Sequence, residues 1–154
     1  MNTSTTNNLL SQNYYNSSSS AYVAYNATYR QEPLANRRAK ETIISFKLLN
    51  ENWDSYGASA PSEIAIKKAL SFIKRLSQFN TEVFFVAPTP NGDILVEVKQ
   101  GNANLEFEFM AEGDDTICAS ENGEYKSEEK LNTTTFTSYL KWLICPDGNC
   151  PPNL

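Results

Sequence analysis

Ile94, Val96 and Val98 alternate with Leu95, Glu97 and Lys99, apolar and polar positions alternate again through residues 105–109, and this is the clearest pattern in the chain. Alternation with a period of two is typical of a β-strand that buries one face. A two-residue turn at Gly101-Asn102 pairs the two stretches so that Val96 lies opposite Phe107, and the alternating apolar side chains then share one face. The pattern therefore predicts an antiparallel hairpin with one packed face and one solvated face.

Apolar residues recur with helical spacing on either side of the predicted strands. Residues 34–50 predict a first helix. A second helix begins with Pro61 in its first turn and carries an apolar face from Ile66 to Leu76. A last helix, with a threonine as its cap, is predicted over residues 134–144.

Three more short stretches typical of strands lie between turn signals, at residues 83–87, 116–120 and 124–127. The predicted order of elements is α-α-β-β-β-β-β-α. We therefore expect an α+β domain of two layers, in which helices pack on the apolar face of an antiparallel meander of about five strands.

The composition of the chain changes near residue 30. Residues 1–29 hold no charged residue and are rich in Asn, Ser, Thr and Tyr, which offers too little aliphatic surface to offset the entropy of ordering. We expect a disordered tail over residues 1–32, one domain over residues 33–146 and a disordered C-terminus over residues 147–154. Neither a signal peptide nor a membrane-spanning segment is recognisable, so we expect a cytoplasmic protein without a membrane partner.

Charge and residue usage restrict the possible chemistry. Residues 30–80 carry nine basic and five acidic side chains, whereas residues 81–154 carry four basic and thirteen acidic ones. The chain contains no histidine, which excludes catalysis by a Ser-His or Cys-His pair and removes the usual imidazole ligands of zinc. We therefore expect a non-enzymatic protein that needs no cofactor.

Carboxylates cluster on the solvated face of the predicted hairpin. The register places Glu97 directly opposite Glu106, with Glu108 on the same face, and like charges opposed in this way repel each other. Three interpretations are open: a solvated face that discourages aggregation, which we favour, a divalent-cation site at Glu97 and Glu106, and a docking surface for a basic protein. The cation site would make the protein a metal-dependent hydrolase or nuclease, with Asp54 as a further carboxylate.

Four cations lie on the polar side of the second predicted helix: Lys67, Lys68, Lys74 and Arg75. They form either a solvated helix face or a weak phosphate-binding surface. The overall pI is acidic and no aromatic residues interleave with the cations, so we favour the solvated face and keep nucleic-acid binding as an alternative.

The connector between the first two predicted helices holds Trp53, Asp54 and Tyr56, where small polar residues would suffice. Trp and Tyr dominate binding hot spots, so the three residues are candidates for contact with a partner. In the other interpretation the connector is a structural corner. Trp53 and Tyr56 then cover the core, and Asp54 accepts hydrogen bonds from nearby backbone N–H groups. We favour the corner.

The same connector, Asn52-Trp53-Asp54-Ser55-Tyr56-Gly57-Ala58 followed by Pro61, resembles a block found in a bacterial family of small uncharacterised proteins. In that family a Pro-Thr-Pro-x-Gly turn and a strand that ends in Glu come next. The matching pieces here are Pro88-Thr89-Pro90-Asn91-Gly92 and Ile94-Leu95-Val96-Glu97, whereas Val98 departs from the aromatic residue often found after that Glu. The resemblance covers about residues 45–110.

The resemblance implies no particular activity, although such genes often lie in mobile or defence-related neighbourhoods, which implies an antitoxin-like or inhibitor role. Combined with the missing catalytic motifs and the charge division, it leads us to expect a module that binds another protein, with the oligomeric state left open.

Overall fold

The computed structural model describes residues 31–145, which contain three α-helices and one five-stranded antiparallel sheet. The helices are α1 (Leu34–Ser45), α2 (Glu63–Gln78) and α3 (Thr133–Ile144), and a short 3₁₀ turn (Phe46–Leu48) follows α1. The strands are β1 (Val83–Pro88), β2 (Ile94–Gln100), β3 (Ala103–Phe109), β4 (Thr116–Glu121) and β5 (Glu124–Lys130). The predicted α+β meander is confirmed.

The strands follow one another across the sheet in the order β1-β2-β3-β4-β5, each antiparallel to its neighbour. Val96 pairs with Phe107 across β2 and β3, and Glu97 pairs with Glu106, as the alternation predicts. The register shifts between Val83 and Phe85 in β1, which marks a bulge or irregularity in that edge strand.

The core lies between one face of the sheet and the three helices. Val96, Phe107 and Ile117 are fully buried on the sheet side. The ring centroid of Phe107 lies 4.4 Å from that of Phe72 on α2 and 6.4 Å from that of Phe136 on α3. Close aromatic pairs of this kind add to the stability gained from burial. The helices therefore cover this face, and the opposite face of the sheet, called here the outer face, is formed by the alternate side chains.

A buried amide fixes α1 to the rest of the domain. The Asn36 side chain donates hydrogen bonds to the Thr81 carbonyl and to Ser77 Oγ, each over 2.9 Å, and its Oδ1 accepts one from the Val83 N–H over 2.8 Å. Asn36 is fully buried, so these bonds satisfy polar groups that water does not reach. They tie α1 to the end of α2 and to the start of the edge strand.

Three helix ends differ from the predictions. The first helix ends at Ser45 instead of residue 50, and Leu48, which lies within the predicted range, is 81% exposed. Pro61 does not lie in the first turn of α2, because Ser62 is the N-cap and its hydroxyl accepts from the Ile64 N–H. The cap of α3 is Asn132 and not a threonine; Oδ1 accepts from the N–H groups of the first turn, an arrangement that Asn favours strongly.

Most of the predicted tail and all of the predicted C-terminal extension lie outside the described residues. Within residues 31–145, none of the helices combines the length and the apolar character that a membrane crossing requires.

Candidate functional site

The connector between α1 and α2 is a loop whose polar groups bond to its own backbone. The indole Nε1 of Trp53 donates to the Ser59 carbonyl over 3.0 Å. Asp54 Oδ1 accepts from the N–H groups of Tyr56 and Ala58, over 2.8 and 3.1 Å. These backbone N–H groups hold the pKa of the Asp54 carboxyl below its ordinary value, because they stabilise its charged form. The first two candidate residues therefore hold the loop in shape.

This loop also docks on the turn between β1 and β2. The Ser59 N–H donates to the Pro90 carbonyl and the Ser62 N–H donates to the Gly92 carbonyl, both over 2.8 Å. A Cβ atom on Gly92 would lie only 2.9 Å from the Ala60 carbonyl oxygen, so the approach needs glycine. The connector and the Pro-Thr-Pro-x-Gly turn, two of the three pieces that carry the family resemblance, thus meet in space.

Tyr56 points away from this corner. Its side chain is 93% exposed, whereas that of Trp53 is half-buried. The expectation that both aromatic residues cover the core is therefore wrong for Tyr56. The hydrogen bonds of Trp53 and Asp54 to the loop backbone fit the corner interpretation, and the exposed Tyr56 is free to contact a partner.

The outer face of the sheet carries a row of side chains that crosses all five strands. Strand pairing aligns Phe85, Glu97, Glu106, Cys118 and Glu128 in that order. We call these five residues the acidic row. Three of its members are carboxylates, and Phe85 at the β1 end is 49% exposed.

A second outer row runs beside the acidic row. It aligns Ala87, Leu95, Glu108, Thr116 and Lys130. Leu95 extends the apolar surface of Phe85 onto β2, and Glu108 extends the carboxylates onto the neighbouring position of β3. The outer face is therefore apolar at the β1 end and acidic across the middle.

The carboxylates of this face are held in an unfavourable environment. Partial burial, and then the charge of Glu106, raise the pKa of Glu97. Partial burial and the nearby charges of Asp93, Glu128 and Glu106 raise the pKa of Glu108 in the same way. Both effects penalise the ionised form, and the pKa rises as a result.

The thiol of Cys118 lies in the middle of the acidic row. Burial, and then the charges of Glu106 and Glu128, raise its pKa. A raised thiol pKa leaves less thiolate at neutral pH, and the thiolate is the nucleophile. The position of Cys118 therefore favours a packing role over a reactive one.

The hypothesis of a metal site on this face finds no support in the geometry. Across residues 31–145, no group of three or more His, Cys, Asp or Glu side chains is arranged to hold a metal ion. Glu97 and Glu106 oppose each other as predicted, but a divalent cation prefers six or more oxygen ligands.

The four cations of α2 do not form a free basic surface. Lys67 pairs with Glu63 over 3.3 Å, and Lys68 pairs with Asp115 over 2.8 Å. The Arg75 guanidinium lies 4.1 Å from the ring centroid of Phe136. Lys67 and Lys74 are both exposed, whereas Lys68 and Arg75 are half-buried. Because three of them already have partners, a phosphate would have to displace existing contacts.

The candidate residues therefore fall into two separate places. Trp53, Asp54 and Tyr56 lie in the loop that docks on the β1–β2 turn, while Glu97, Glu106 and Glu108 lie within the strands on the outer face. Sequence reasoning missed three members of the acidic row: Phe85, Cys118 and Glu128. Only correct pairing of β1, β4 and β5 could have placed them there.

No protein-family model matches this chain, and no curated protein or solved structure matches it either.

Proposed function

We propose that this chain is a protein-binding module whose outer sheet face receives a basic segment of another protein. The observation that carries the proposal is the acidic row, in which an exposed phenylalanine stands directly beside two carboxylates that face each other. The partner segment has apolar side chains that contact Phe85 and Leu95, and arginine or lysine side chains that lie among Glu97, Glu106 and Glu108.

Charge complementarity favours this partner over a neutral or acidic one. The three glutamates repel one another in the free protein, and a guanidinium group placed between them would remove that repulsion and donate hydrogen bonds to two carboxylates. Phe85 supplies the aromatic anchor that binding surfaces commonly place next to such pairs. Nucleic acid, which carries a dense negative charge, would be repelled by the same face.

The resemblance implies a narrower form of this proposal. In an antitoxin-like protein or an inhibitor, the neutralised protein would be the basic partner, and the outer face would cover its basic surface.

A synthetic peptide with leucines along one side and arginines along the other tests the proposal by fluorescence anisotropy. We expect Glu106→Gln and Phe85→Ser each to weaken binding by roughly three- to tenfold, which corresponds to about 1 kcal/mol. Glu112→Gln removes the same charge from an exposed loop position, and Tyr125→Ser removes an exposed aromatic residue from the other edge strand. Both are matched controls and should leave the affinity unchanged.

Two further peptides separate site binding from general attraction to an acidic protein. A leucine-glutamate peptide and a glycine-arginine peptide should both bind at least tenfold more weakly, since each lacks one half of the recognised chemistry. Equal loss of affinity in Glu112→Gln and Glu106→Gln would show that only net charge matters, and the proposal would then be abandoned.

A further inference from the structure

A groove of about 600 Å³ opens on the helix side of the sheet, between the β4–β5 hairpin and α3. Its lining includes Ser127 and Glu129 from β5 and Tyr139 and Trp142 from α3. Ser127 and Glu129 pair with Ala119 and Ile117, whose side chains belong to the core. The groove therefore lies on the opposite side of the sheet from the acidic row, and its size is that of a small-molecule site.

The hydroxyl groups of this groove form a chain of hydrogen bonds with a fixed direction. Tyr139 donates its phenolic proton to Glu129 Oε1 over 2.8 Å. Ser127 Oγ lies 2.8 Å from the Tyr139 oxygen. Because a tyrosine has a single hydroxyl proton and an ionised carboxylate can only accept, Ser127 must donate to Tyr139. Ser127 Oγ and the second oxygen of Glu129 can then accept further hydrogen bonds but have no proton left to donate.

The surroundings of the Tyr139 hydroxyl favour its protonated form. Burial raises the pKa of the Tyr139 hydroxyl above its ordinary value, and the hydrogen bond to Glu129 and its charge raise it further. Ser127 opposes the shift in part. The phenol therefore remains a donor at neutral pH.

The charged groups of the lining leave an excess of negative charge. The carboxylates of Glu121 and Glu129 line the groove together with Lys126. The Lys126 ammonium already pairs with Glu121 over 3.6 Å and with Glu124 over 3.9 Å. Glu129 is thus the carboxylate of the lining whose charge is not offset by Lys126.

The half-buried indole of Trp142 adds an aromatic wall to these acceptors. Aromatic faces attract cations, and Trp does so most strongly. We propose that the groove binds a small organic ammonium ion. The ammonium group donates hydrogen bonds to Glu129 and Ser127 and faces the Trp142 ring, while the apolar body of the ligand lies along the groove. An anion is repelled by Glu129, and a neutral analogue gains no charge-assisted hydrogen bond.

Isothermal titration calorimetry of the full chain with three probes of equal size tests this inference: benzylamine, benzyl alcohol and benzoate. We expect benzylamine to bind with a dissociation constant of about 1 mM. Benzyl alcohol should bind at least tenfold more weakly and benzoate should give no heat. Equal affinity for benzylamine and benzyl alcohol, or no binding of benzylamine, would overturn the inference.

Two adjacent residues of β5 provide matched variants. Glu129 lies on the groove side and Glu128 pairs with Cys118 on the outer side, so Glu129→Gln and Glu128→Gln remove the same charge one residue apart. We expect benzylamine affinity to fall roughly five- to tenfold in Glu129→Gln and to stay unchanged in Glu128→Gln. An equal fall in both variants would assign the effect to net charge and contradict the inference.

Trp142→Leu keeps an apolar wall and removes the aromatic face. It should weaken benzylamine binding by about threefold or more and leave any binding of benzyl alcohol nearly unchanged. Circular dichroism melting of each variant verifies that it is folded. If Glu129→Gln were unfolded, Trp142→Leu would decide the question, because equal effects on the cation and on the alcohol would contradict a role for the aromatic face.

Discussion

Single residues of the α1–α2 loop divide into those that hold its shape and one that does not. Trp53 and Asp54 use their polar atoms on backbone groups of the loop, and Asn52 Oδ1 accepts from the Gly57 N–H over 2.7 Å. Asn52, Ser55 and Gly57 all have positive φ angles, a conformation that persists only where the surrounding contacts impose it. Tyr56 contributes little to that network and is almost fully exposed.

Replacing each aromatic residue of this loop by alanine separates the two roles. Trp53→Ala removes the bond to Ser59 and half-buried apolar surface, and we expect the free energy of unfolding to fall by about 1–3 kcal/mol. Tyr56→Ala should change it by less than about 0.5 kcal/mol, as is usual for exposed positions. Urea denaturation monitored by circular dichroism measures both. A neutral Trp53→Ala variant would contradict the structural role assigned to this side chain.

At the scale of elements, the contact between the loop and the β1–β2 turn depends on Gly92. It has a φ of +85° and its missing Cβ leaves room for the Ala60 carbonyl. Gly101, in the β2–β3 turn, also has a positive φ, but no atom lies within 4 Å of the position of its absent Cβ. Both glycines therefore need a positive φ, but only at Gly92 would a Cβ atom clash with a neighbouring backbone atom.

Alanine at these two glycines should have unequal effects on stability. We expect Gly101→Ala to cost about 1 kcal/mol for the positive φ alone. Gly92→Ala should cost about 2–4 kcal/mol, because the Cβ also forces the loop away from the turn. The difference between the two unfolding free energies, from urea titrations, measures the close approach. Equal losses would show that the loop and the turn are not tightly docked.

Like charges opposed across β2 and β3 should lower the stability of the free protein. Glu97 has a raised pKa in the folded state, so the folded chain binds more protons than the unfolded one at pH values just above the ordinary glutamate value of 4.5. Stability therefore falls as the pH rises through that range, and the loss is complete above the raised pKa. A basic partner would offset this loss on binding.

Glu106→Gln removes one source of this repulsion. At pH 7 we expect the free energy of unfolding to rise by about 0.2–1 kcal/mol, the usual scale of cross-strand pairs. The gain should shrink as the pH falls through the raised pKa of Glu97, which lies above its ordinary value of 4.5, because Glu97 then becomes protonated. Thermal unfolding across a pH series tests both statements, with Glu112→Gln as the control for net charge. A variant that is less stable at pH 7 would show that Glu106 has a structural role.

An element could be predicted from the sequence only where its apolar side chains form a regular pattern. The β2–β3 register follows from Val96 and Phe107, because a shift of one residue would expose every apolar side chain of the hairpin. The last strand was predicted to end at residue 127, although it extends to Lys130. Its mostly exposed side chains provide no apolar alternation, so its length and the position of Glu128 could not be inferred.

Two other features had no sequence signal that could have revealed them. The irregularity between Val83 and Phe85 changes which side of β1 each phenylalanine occupies, and a bulge of this kind can follow any residue. As a result, the exposure of Phe85 could not be predicted. Asn36 occupies a fully buried position in a helix, where an apolar residue is the usual expectation.

At the scale of the whole molecule, the basic and acidic parts of the sequence lie on different surfaces: the cations on α2 and many of the carboxylates on the outer face of the sheet. Three of the four α2 cations contact Glu63, Asp115 or Phe136, so the helical half presents less free positive charge than its composition indicates. The excess acidic charge includes the carboxylates of the outer face, which have raised pKa values at Glu97 and Glu108. A mainly acidic surface attracts a basic partner from a distance and speeds its association.

The most direct test of the binding face is a map of amide chemical shifts in the ¹⁵N-labelled protein during titration with the leucine-arginine peptide. Our account predicts that the largest changes occur on the outer face, at Phe85, Leu95, Glu97, Glu106 and Glu108. It also predicts that the indole N–H signals of Trp53 and Trp142 stay in place. Changes confined to the α1–α2 loop or to α3, with the outer strands unaffected, would contradict the proposal that this face binds the partner.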